Sequence, residues 1–328
     1  MTAKQSHAPL DDIISDVLKS LHVSGSVLLR KSYAAPWAIS ITDRQKINRI
    51  LDIDETQQAV VFHIVEHGEC LVKPDDANNV QLKTGEILIS FGGHPHTVSQ
   101  GNAANTQSLQ EVLASGVDIQ PPPPIKIGVQ ASLLCGVFLL QHTQFNPLFE
   151  SLPSVLHSKL SATDSGADVV RLLIEEMNCE TVVSTYIVGR LLEIICAEAI
   201  RSYIDSIPQN EKNWLRGVQD PVIGRAIAAI HAQPGAEWSV KKLASKIAMS
   251  PSRFAARFVA SVGDSPMAYT TKWRMNLACQ SLINTKSNID QIALNIGYRS
   301  PAAFSRTFKK HLGTSPATWR SLQTISAD

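Results

Sequence analysis

The sequence predicts a multidomain α+β protein with an N-terminal β-barrel, a helical segment and an all-helical C-terminal domain. Short apolar runs separated by turn residues extend to about residue 141, apolar positions at helical spacing follow from residue 168 to 204, and one pattern occurs twice between residues 239 and 319. A length of 328 residues suits several domains. The expected boundaries are 1–143 for the barrel, 144–206 for the helical segment, 207–220 for a linker and 221–328 for the C-terminal domain.

The N-terminal barrel is predicted from many short strands with short turns between them. Segments such as AVVFHIV, EILISF and SLLCGVFLL are rich in residues that favour strands, and Gly92-Gly93 supplies a turn. The stretch from Ser99 to Pro124 differs, because it is polar and ends in four prolines. We expect this stretch to be an extended loop outside the packed core.

The helical segment carries apolar residues spaced by three and four positions, among them Leu172, Leu173, Leu191 and Leu192. This pattern predicts a pair of amphipathic helices. Two roles remain open for their apolar faces: covering the barrel, or forming a self-complementary interface between two copies of the chain. The polar stretch IPQNEKNWLRGVQDP that follows is the predicted linker.

The C-terminal domain contains one pattern twice, which predicts two helix-turn-helix units at residues 239–263 and 288–313. In each copy a capping residue, Ser239 or Asn288, precedes apolar residues at helical spacing. A Ser-Pro pair then opens a second helix, since proline is preorganised for the first helical position. The matching positions, offset by 49 before the turn and by 50 after it, are Val240, Leu243, Ala244, Ile247, Ala248, Ser250, Pro251, Phe254, Phe258, Gly263, Ser265, Pro266 and Tyr269 in the first copy and Ile289, Ile292, Ala293, Ile296, Gly297, Ser300, Pro301, Phe304, Phe308, Gly313, Ser315, Pro316 and Trp319 in the second.

The second helix of each unit has an outward face that suits the major groove of DNA. Its two phenylalanines lie four positions apart and face inward, so the residues opposite them are the candidate DNA contacts. We expect Arg306 to discriminate most between bases, because a guanidinium can bind guanine through two hydrogen bonds. The candidates are Ser252, Arg253, Ala255, Ala256 and Arg257 in the first unit and Ala302, Ser305, Arg306, Lys309 and Lys310 in the second.

Charge is distributed unevenly along a chain whose formal net charge is only +1. Residues 221–328 hold 14 Lys and Arg against 4 Asp and Glu, whereas the rest of the chain holds 16 against 25. A basic domain joined to an acidic one is typical of a protein that binds phosphates with one part and has another task in the other. Double-stranded promoter DNA is therefore the expected partner.

Residues from about 221 to 320 resemble the DNA-binding domain of AraC-family transcription regulators. The resemblance rests on SVKKLASKIAMSPSRFAARF, SPMAYTTKWRMNLACQSL and NIDQIALNIGYRSPAAFSRTFKKHLGTSPATWR. It implies two helix-turn-helix units joined by a central helix, here Met267 to Leu282, on successive major-groove faces of a promoter. It also implies a homodimer and contact with RNA polymerase.

The N-terminal segment resembles the cupin-type sensor domain found in front of many such regulators. FHIVEHGECLV and LKTGEILISFGGHPHTV resemble the cupin strand pair with its Gly-Glu turn, and LLCGVF and FNPLFESLP recur in one subgroup of these sensors. Enzymatic cupins bear two histidines and a carboxylate on an earlier strand, and the equivalent place near APWAIS has none. This departure favours binding or sensing over catalysis, so we predict that the protein is not an enzyme.

Four side chains of the predicted barrel are candidate ligand or metal contacts: His63, His94, His96 and Cys135. The cupin resemblance places His63 and His96 on neighbouring strands and Cys135 on a later one, an arrangement in which nitrogen and sulfur ligands for zinc or another divalent metal could converge. The alternatives are histidines satisfied by the backbone, an apolar filler at Cys135, and oxidation of Cys135 as a signal.

These features predict a sequence-specific DNA-binding transcription regulator that responds to a small-molecule effector through its cupin-like domain. The alternative is a redox- or metal-sensing regulator that uses Cys135, His63 and His96. A metal-dependent cupin enzyme with a DNA-binding tail is a less favoured alternative, and a barrel that serves only as a dimerisation scaffold is a third.

Several classes of protein are excluded by what the sequence lacks. No apolar run approaches the roughly 18 residues of a membrane span, and the N-terminus is too polar and acidic for a signal peptide, so we expect a cytoplasmic protein without membrane contact. Five cysteines lie far apart without a CxxC pair. They predict neither a disulfide framework nor a zinc finger.

Overall fold

The computed structural model describes residues 13–18, 23–53, 57–103, 105–114, 131–141, 145–160, 164–179, 183–207 and 213–325. Contacts divide the chain into two compact units. The N-terminal unit is Val23–Gln141 with Leu152–Ser206, and the C-terminal unit is Ile207–Asp328 with Met1–His22 and His142–Ser151. Each unit therefore contains segments that are far apart in the sequence.

The described residues of the N-terminal unit form a sheet of nine strands, as expected of an all-β N-terminus. Six strands follow the order β1-β8-β3-β6-β2-β7, while β4 and β5 pair with β3, and β9 pairs with β5. The strands are β1 Ser24–Tyr33, β2 Trp37–Ile41, β3 Gln57–Pro74, β4 Val80–Lys83, β5 Glu86–Ser90, β6 His96–Gln100, β7 Gln107–Ser108, β8 Ala131–Gln141 and β9 Leu156–Lys159.

Strand β3 gives this sheet its curl. Its register shifts between Val65 and His67, and a shift of this kind bends a strand and increases its twist. Residues up to Gly68 pair with β8 and β5, whereas the residues after it pair with β4 and β6. One strand therefore takes part in both sides of the sheet and curls it around an apolar interior.

Alternate residues of the strands line that interior. Val61 and Val65 of β3 belong to the core cluster with Leu133 and Val137 of β8, as the period of two in a strand requires. His63 lies between the two valines in the same alternation, and Cys135 belongs to the cluster itself. Both candidate residues therefore face the interior.

Five helices lie in the described part of residues 44–206, and the last two of them are the predicted amphipathic pair. The longest helix, Ser184–Ser206, packs its buried face against the helix Asp164–Met177 and against β1 and β9. Among the described residues, no helix is long and apolar enough to cross a membrane. The helices are α1 Arg44–Ile50, α2 Leu109–Ala114, α3 Pro147–Ser151, α4 Asp164–Met177 and α5 Ser184–Ser206, of which α3 belongs to the C-terminal unit.

Part of the stretch predicted as an extended loop is packed into the core, so that prediction is wrong for these residues. Leu109 and Val112 of α2 are each 4% exposed. Ser108 and Glu111 form a capping box, because Ser108 N donates to Glu111 Oε2 at 2.7 Å and Glu111 N donates to Ser108 Oγ at 3.2 Å. The polar composition concealed this cap. Residues 115–124 lie outside the described residues.

The C-terminal unit is helical and carries the predicted repeat. The side chains of Ser239, Asn288 and Ser300 cap their helices, whereas Ser250 makes no side-chain cap bond. Trp214 and Leu215 are buried in a helix within the predicted linker. The helices are α6 Trp214–Gln219, α7 Ile223–Ala232, α8 Val240–Lys246, α9 Pro251–Val262, α10 Pro266–Asn284, α11 Ile289–Asn295, α12 Pro301–Leu312 and α13 Pro316–Ile325.

Candidate DNA interface and sensor cluster

The two helix-turn-helix units have the same backbone bond in their turns. Met249 N donates to Ala244 O at 3.0 Å, and Tyr298 N donates to Ala293 O at 2.9 Å. These bonds set α9 and α12 in the place of the second helix of each unit. The sequence repeat is therefore also a repeat of backbone conformation.

Helix α9 turns its phenylalanines inward and most of its candidate DNA contacts outward. Phe254 and Phe258 are fully buried. Arg257 is half-buried, and its Nη2 donates to Asp220 Oδ2 at 2.7 Å, so this side chain is engaged in an intramolecular ion pair. Of the other candidates, Ala255 is half-buried, and the exposed ones are Ser252, Arg253 and Ala256.

Helix α12 presents a more strongly charged outer face. Phe304 and Phe308 are fully buried on the inner side. The candidate Ser305 is half-buried, whereas the other four candidates are exposed: Ala302, Arg306, Lys309 and Lys310. The structure thus places all ten candidates on the second helices of the two units. Of these ten, Arg257 is the one that pairs with Asp220. Their contact with DNA stays a prediction.

The sequence-based set omits Val259, which is 45% exposed near the end of α9. It occupies the position that Lys309 has in the second unit, at the same offset of 50 residues. The repeat is therefore the signal that could have identified it. An exposed apolar side chain on this helix suits contact with the methyl group of thymine.

Three of the four sensor candidates meet inside the N-terminal unit. His63 is 1% exposed, His96 is 4% exposed and Cys135 is 8% exposed. His63 Nδ1 lies 3.0 Å from Cys135 Sγ, and His63 Nε2 lies 2.8 Å from His96 Nε2. His94 is different, because its half-exposed side chain points to Asp76 at 3.4 Å.

The direction of each hydrogen bond in this cluster follows from its last member. His96 Nδ1 lies 3.2 Å from the carbonyl oxygen of His94, which can only accept, so Nδ1 of His96 carries the proton and its Nε2 accepts. His63 then donates from Nε2 and accepts at Nδ1 from the thiol of Cys135. All three groups are neutral in this arrangement.

Burial keeps these groups neutral. Desolvation, together with the neighbouring His96, holds the pKa of His63 well below its ordinary value, and desolvation also lowers the pKa of His96. Burial likewise raises the pKa of the Cys135 thiol. The hydroxyl of Tyr33 is buried near Cys135 and has no hydrogen-bond partner among the described residues. The interior therefore holds neutral donors and acceptors together with one unsatisfied hydroxyl.

Known proteins resemble both parts of the chain. A family profile described as Cupin matches residues 12–205, more than half of the chain, and one described as Helix-turn-helix domain matches residues 243–321. The HTH-type transcriptional regulator AlkR of Acinetobacter baylyi is 28% identical over 94% of this chain and 99% of its own. A putative AraC-like transcription regulator of Streptomyces antibioticus is 26% identical over 95% of this chain and 98% of its own. The chain is an AraC-type transcription regulator with a cupin domain.

A further relative of this AraC-type regulator is the RCS-specific HTH-type transcriptional activator RclR of Escherichia coli, which is 30% identical over 74% of this chain and 81% of its own. The relatives confirm both resemblances that the sequence carried. Their names are those of transcriptional regulators, in agreement with a protein that is not an enzyme.

The cupin interior of the regulator does not form the predicted zinc site. A single metal ion can bind only one ring nitrogen of His63, but this ring faces Cys135 with Nδ1 and His96 with Nε2. The three side chains are therefore arranged in a line and do not converge on one point, as a tetrahedral site requires. Within the part of the chain that the structure describes, no group of three or more His, Cys, Asp or Glu side chains is placed to hold a metal ion.

Proposed function

We propose that this regulator binds promoter DNA through the outer faces of α9 and α12, and that a small-molecule effector in the cupin interior controls this binding. The observation that carries the effector proposal is the line of buried polar groups formed by His63, His96 and Cys135, with the unsatisfied Tyr33 hydroxyl near Cys135.

The DNA proposal is supported by charge and exposure. Residues 221–328 hold 14 Lys and Arg against 4 Asp and Glu, and Arg306, Lys309 and Lys310 are exposed on one helix. Exposed cations on a helix of this kind bind phosphates and guanine edges. Helix α9 offers smaller side chains, so we infer that α12 discriminates more between bases.

The effector proposal rests on the cost of burying polar groups. A buried polar atom without a partner costs roughly 1 to 3 kcal/mol of stability, and an apolar residue at position 33 would avoid this cost. A ligand with a hydrogen-bonding group would satisfy the Tyr33 hydroxyl and use the adjacent neutral groups. Pockets for small molecules are apolar with a few placed polar groups, and this interior has that composition.

A homodimer is proposed from the outer face of the long helices. Leu172 is 45% exposed, Tyr186 is 67% exposed and Ile194 is 46% exposed on α4 and α5. The two helices pack against each other, and large apolar side chains exposed on neighbouring helices mark an interaction site. A two-fold dimer uses the same surface of both copies, so these exposed side chains would be covered by the same residues of a second copy.

The experiment that tests the effector proposal uses the full-length protein and DNA selected by it from a random pool. Compounds from a small-molecule library are first found by thermal shift and then added to the protein–DNA mixture. We expect at least one to change the DNA affinity of the wild type and to lose that effect in His96→Gln. The matched control is His94→Gln, whose side chain points to Asp76 and should leave the response intact. If no binding compound alters DNA affinity, the effector proposal is wrong.

The redox alternative receives less support from the geometry. Oxidation requires an exposed thiolate, whereas Cys135 is 8% exposed and burial raises its pKa. Cys135→Ser separates the two signals, because it should preserve a response to a compound and abolish a response to an oxidant.

A further inference from the structure

The C-terminal unit includes two short segments that the sequence places beside the cupin strands. Residues 145–151 lie within the range matched by the cupin profile, yet they group with the helical unit, as do residues 13–18. Asn146 joins the two, because its fully buried side chain donates to Val17 O at 3.0 Å. We call residues 13–18 and 145–151 the anchor segments.

The same asparagine also fixes the second anchor segment. Asn146 Oδ1 accepts from Leu148 N at 3.0 Å and from Phe149 N at 3.1 Å, which caps helix α3. Leu148 is fully buried. The segment is thus a small folded element with its own cap, and it packs against α6.

The second anchor segment touches the second helix-turn-helix unit and the helix α10 that joins the two units. Phe145 packs against the core cluster of the second unit, and its ring centroid lies 5.9 Å from that of His311 at the end of α12. At the other end, Glu150 pairs with Lys272 of α10 at 3.4 Å. Lys272 also pairs at 2.8 Å with Asp264, which follows the end of α9. The short segment therefore contacts the end of α12 directly and is linked through Lys272 to Asp264, beyond the end of α9.

The packing beneath this segment is incomplete. A cavity of about 190 Å³ is lined by Phe145, Pro147 and Glu150 on one side and by residues of α6 and α10 on the other. Trp273 also lines it, is 3% exposed, and its indole N–H has no partner among the described residues. A contact that leaves a cavity and a buried unsatisfied donor is less stable than a filled one. The segment is therefore held less firmly than it would be by a filled contact with every donor paired.

Both anchor segments continue into adjacent strands of the cupin sheet. Residues 13–18 precede β1 and residues 145–151 follow β8, and these strands pair with Ser24 opposite Leu139. Cys135 of the buried cluster lies on β8. A displacement of β8 by a ligand in the interior would therefore reach the second anchor segment along the chain.

We infer that the anchor segments are the coupling element of this regulator: they hold the two helix-turn-helix units in one relative orientation, and their release changes it. This inference rests on the proposed DNA-binding function. The protein then has two states, with the anchor segments held or released. An effector shifts the balance between these states if it binds one of them more tightly than the other.

The test measures how the full-length protein distinguishes two DNA molecules without any effector. One DNA carries both major-groove sites selected from a random pool, and the other carries a single site. The relative orientation of the two helix-turn-helix units affects binding to the two-site DNA only. The ratio of the two dissociation constants therefore reports this orientation. We expect Glu150→Gln to change this ratio about two- to fivefold, the range of a partly exposed ion pair. Phe145→Ala should change it more.

A double-mutant cycle assigns the effect to the contact. In the background of Lys272→Gln, the substitution Glu150→Gln should change the ratio little further, because its partner is already absent. The matched control is Glu175→Gln, which removes an exposed ion pair with Arg171 in the N-terminal unit and should leave the ratio unchanged. Glu150 is 45% exposed, so Glu150→Gln stays decisive even if Phe145→Ala does not fold.

An unchanged ratio in both Glu150→Gln and Phe145→Ala would overturn the coupling inference, as would full additivity in the cycle. These outcomes are separate from the effector proposal, because no compound is present. If the ratio changes as expected but no compound alters DNA affinity, the coupling inference stands and only the small-molecule effector is refuted. Absence of any selected DNA would remove the proposed DNA binding first.

Discussion

Positions 248 and 297 occupy the same place in the two helix-turn-helix turns, and only one of them is glycine. Ala248 has a φ of 55° and Gly297 a φ of 86°, so both lie in the left-handed region. This region costs a residue with a side chain roughly 1 to 2 kcal/mol. The two positions differ further in their surroundings, because Ala248 is exposed, whereas a Cβ at Gly297 would lie 2.4 Å from the carbonyl oxygen of Gly235.

We therefore expect opposite substitutions at the two turns to differ in cost. Gly297→Ala should lower the free energy of unfolding of the C-terminal unit by more than about 2 kcal/mol, since backbone strain and a backbone clash add. Ala248→Gly should change it by less than about 1 kcal/mol, because relief of strain offsets the greater freedom of glycine in the unfolded chain. Hydrogen exchange of the α8 and α11 amides measures both effects. Equal losses at the two positions would contradict the explanation.

The buried cluster shows what sequence reasoning reaches at the scale of single residues. The cupin resemblance predicted that His63, His96 and Cys135 lie close together, because a strand pattern determines which residues share a face. It could not determine that His63 uses a different nitrogen toward each neighbour. That depends on ring orientation, which decides between a line of hydrogen bonds and a metal site.

At the scale of elements, α12 carries the clearest expectation about DNA. Arg306→Ala should weaken binding to the selected site by roughly 1 to 3 kcal/mol and relax the preference at one base, since an arginine can pair with guanine through two bonds. Quantitative selection with wild type and variant measures both quantities. Loss of affinity without any change in base preference would assign Arg306 to a phosphate.

Lys309 provides the matched comparison on the same helix. If it contacts a phosphate, Lys309→Ala should weaken binding to all sequences alike and reduce the slope of affinity against salt by about one unit. A loss of affinity confined to one DNA sequence would contradict a phosphate contact by Lys309.

Local signals explain why the helices and strands were predictable and one segment was not. Caps such as Asn288 and Ser300 lie next to the helices they start, so the sequence around them contains the information. The stretch FNPLFESLP contains no comparable sign of its partners. Glu150 pairs with a lysine 122 positions later, and a contact of that separation follows only from the three-dimensional arrangement.

At the scale of the whole molecule, the exposed apolar side chains of α4 and α5 predict a dimer that depends on them. Tyr186→Glu should convert the dimer to a monomer, because a two-fold interface contains each substitution twice and a loss of only about 1.4 kcal/mol is a tenfold change in affinity. Sedimentation at several concentrations measures the state. Leu294→Glu is the matched control, since Leu294 is an exposed apolar residue, 57% exposed, on α11. A dimer that persists in Tyr186→Glu would place the interface elsewhere.

The pairing of the cupin strands has a consequence for the order in which the chain acquires its structure. Strand β3 forms most of its ladder with β8, and His63 pairs with a residue 72 positions later. Strand pairs whose partners are far apart in the sequence form slowly, whereas helices form quickly because their contacts are between residues close in the sequence. During synthesis, the cupin interior therefore stays open until β8 has left the ribosome, because Cys135 of the polar cluster lies on that strand. The short helices of the DNA-binding repeat can form without waiting for distant partners.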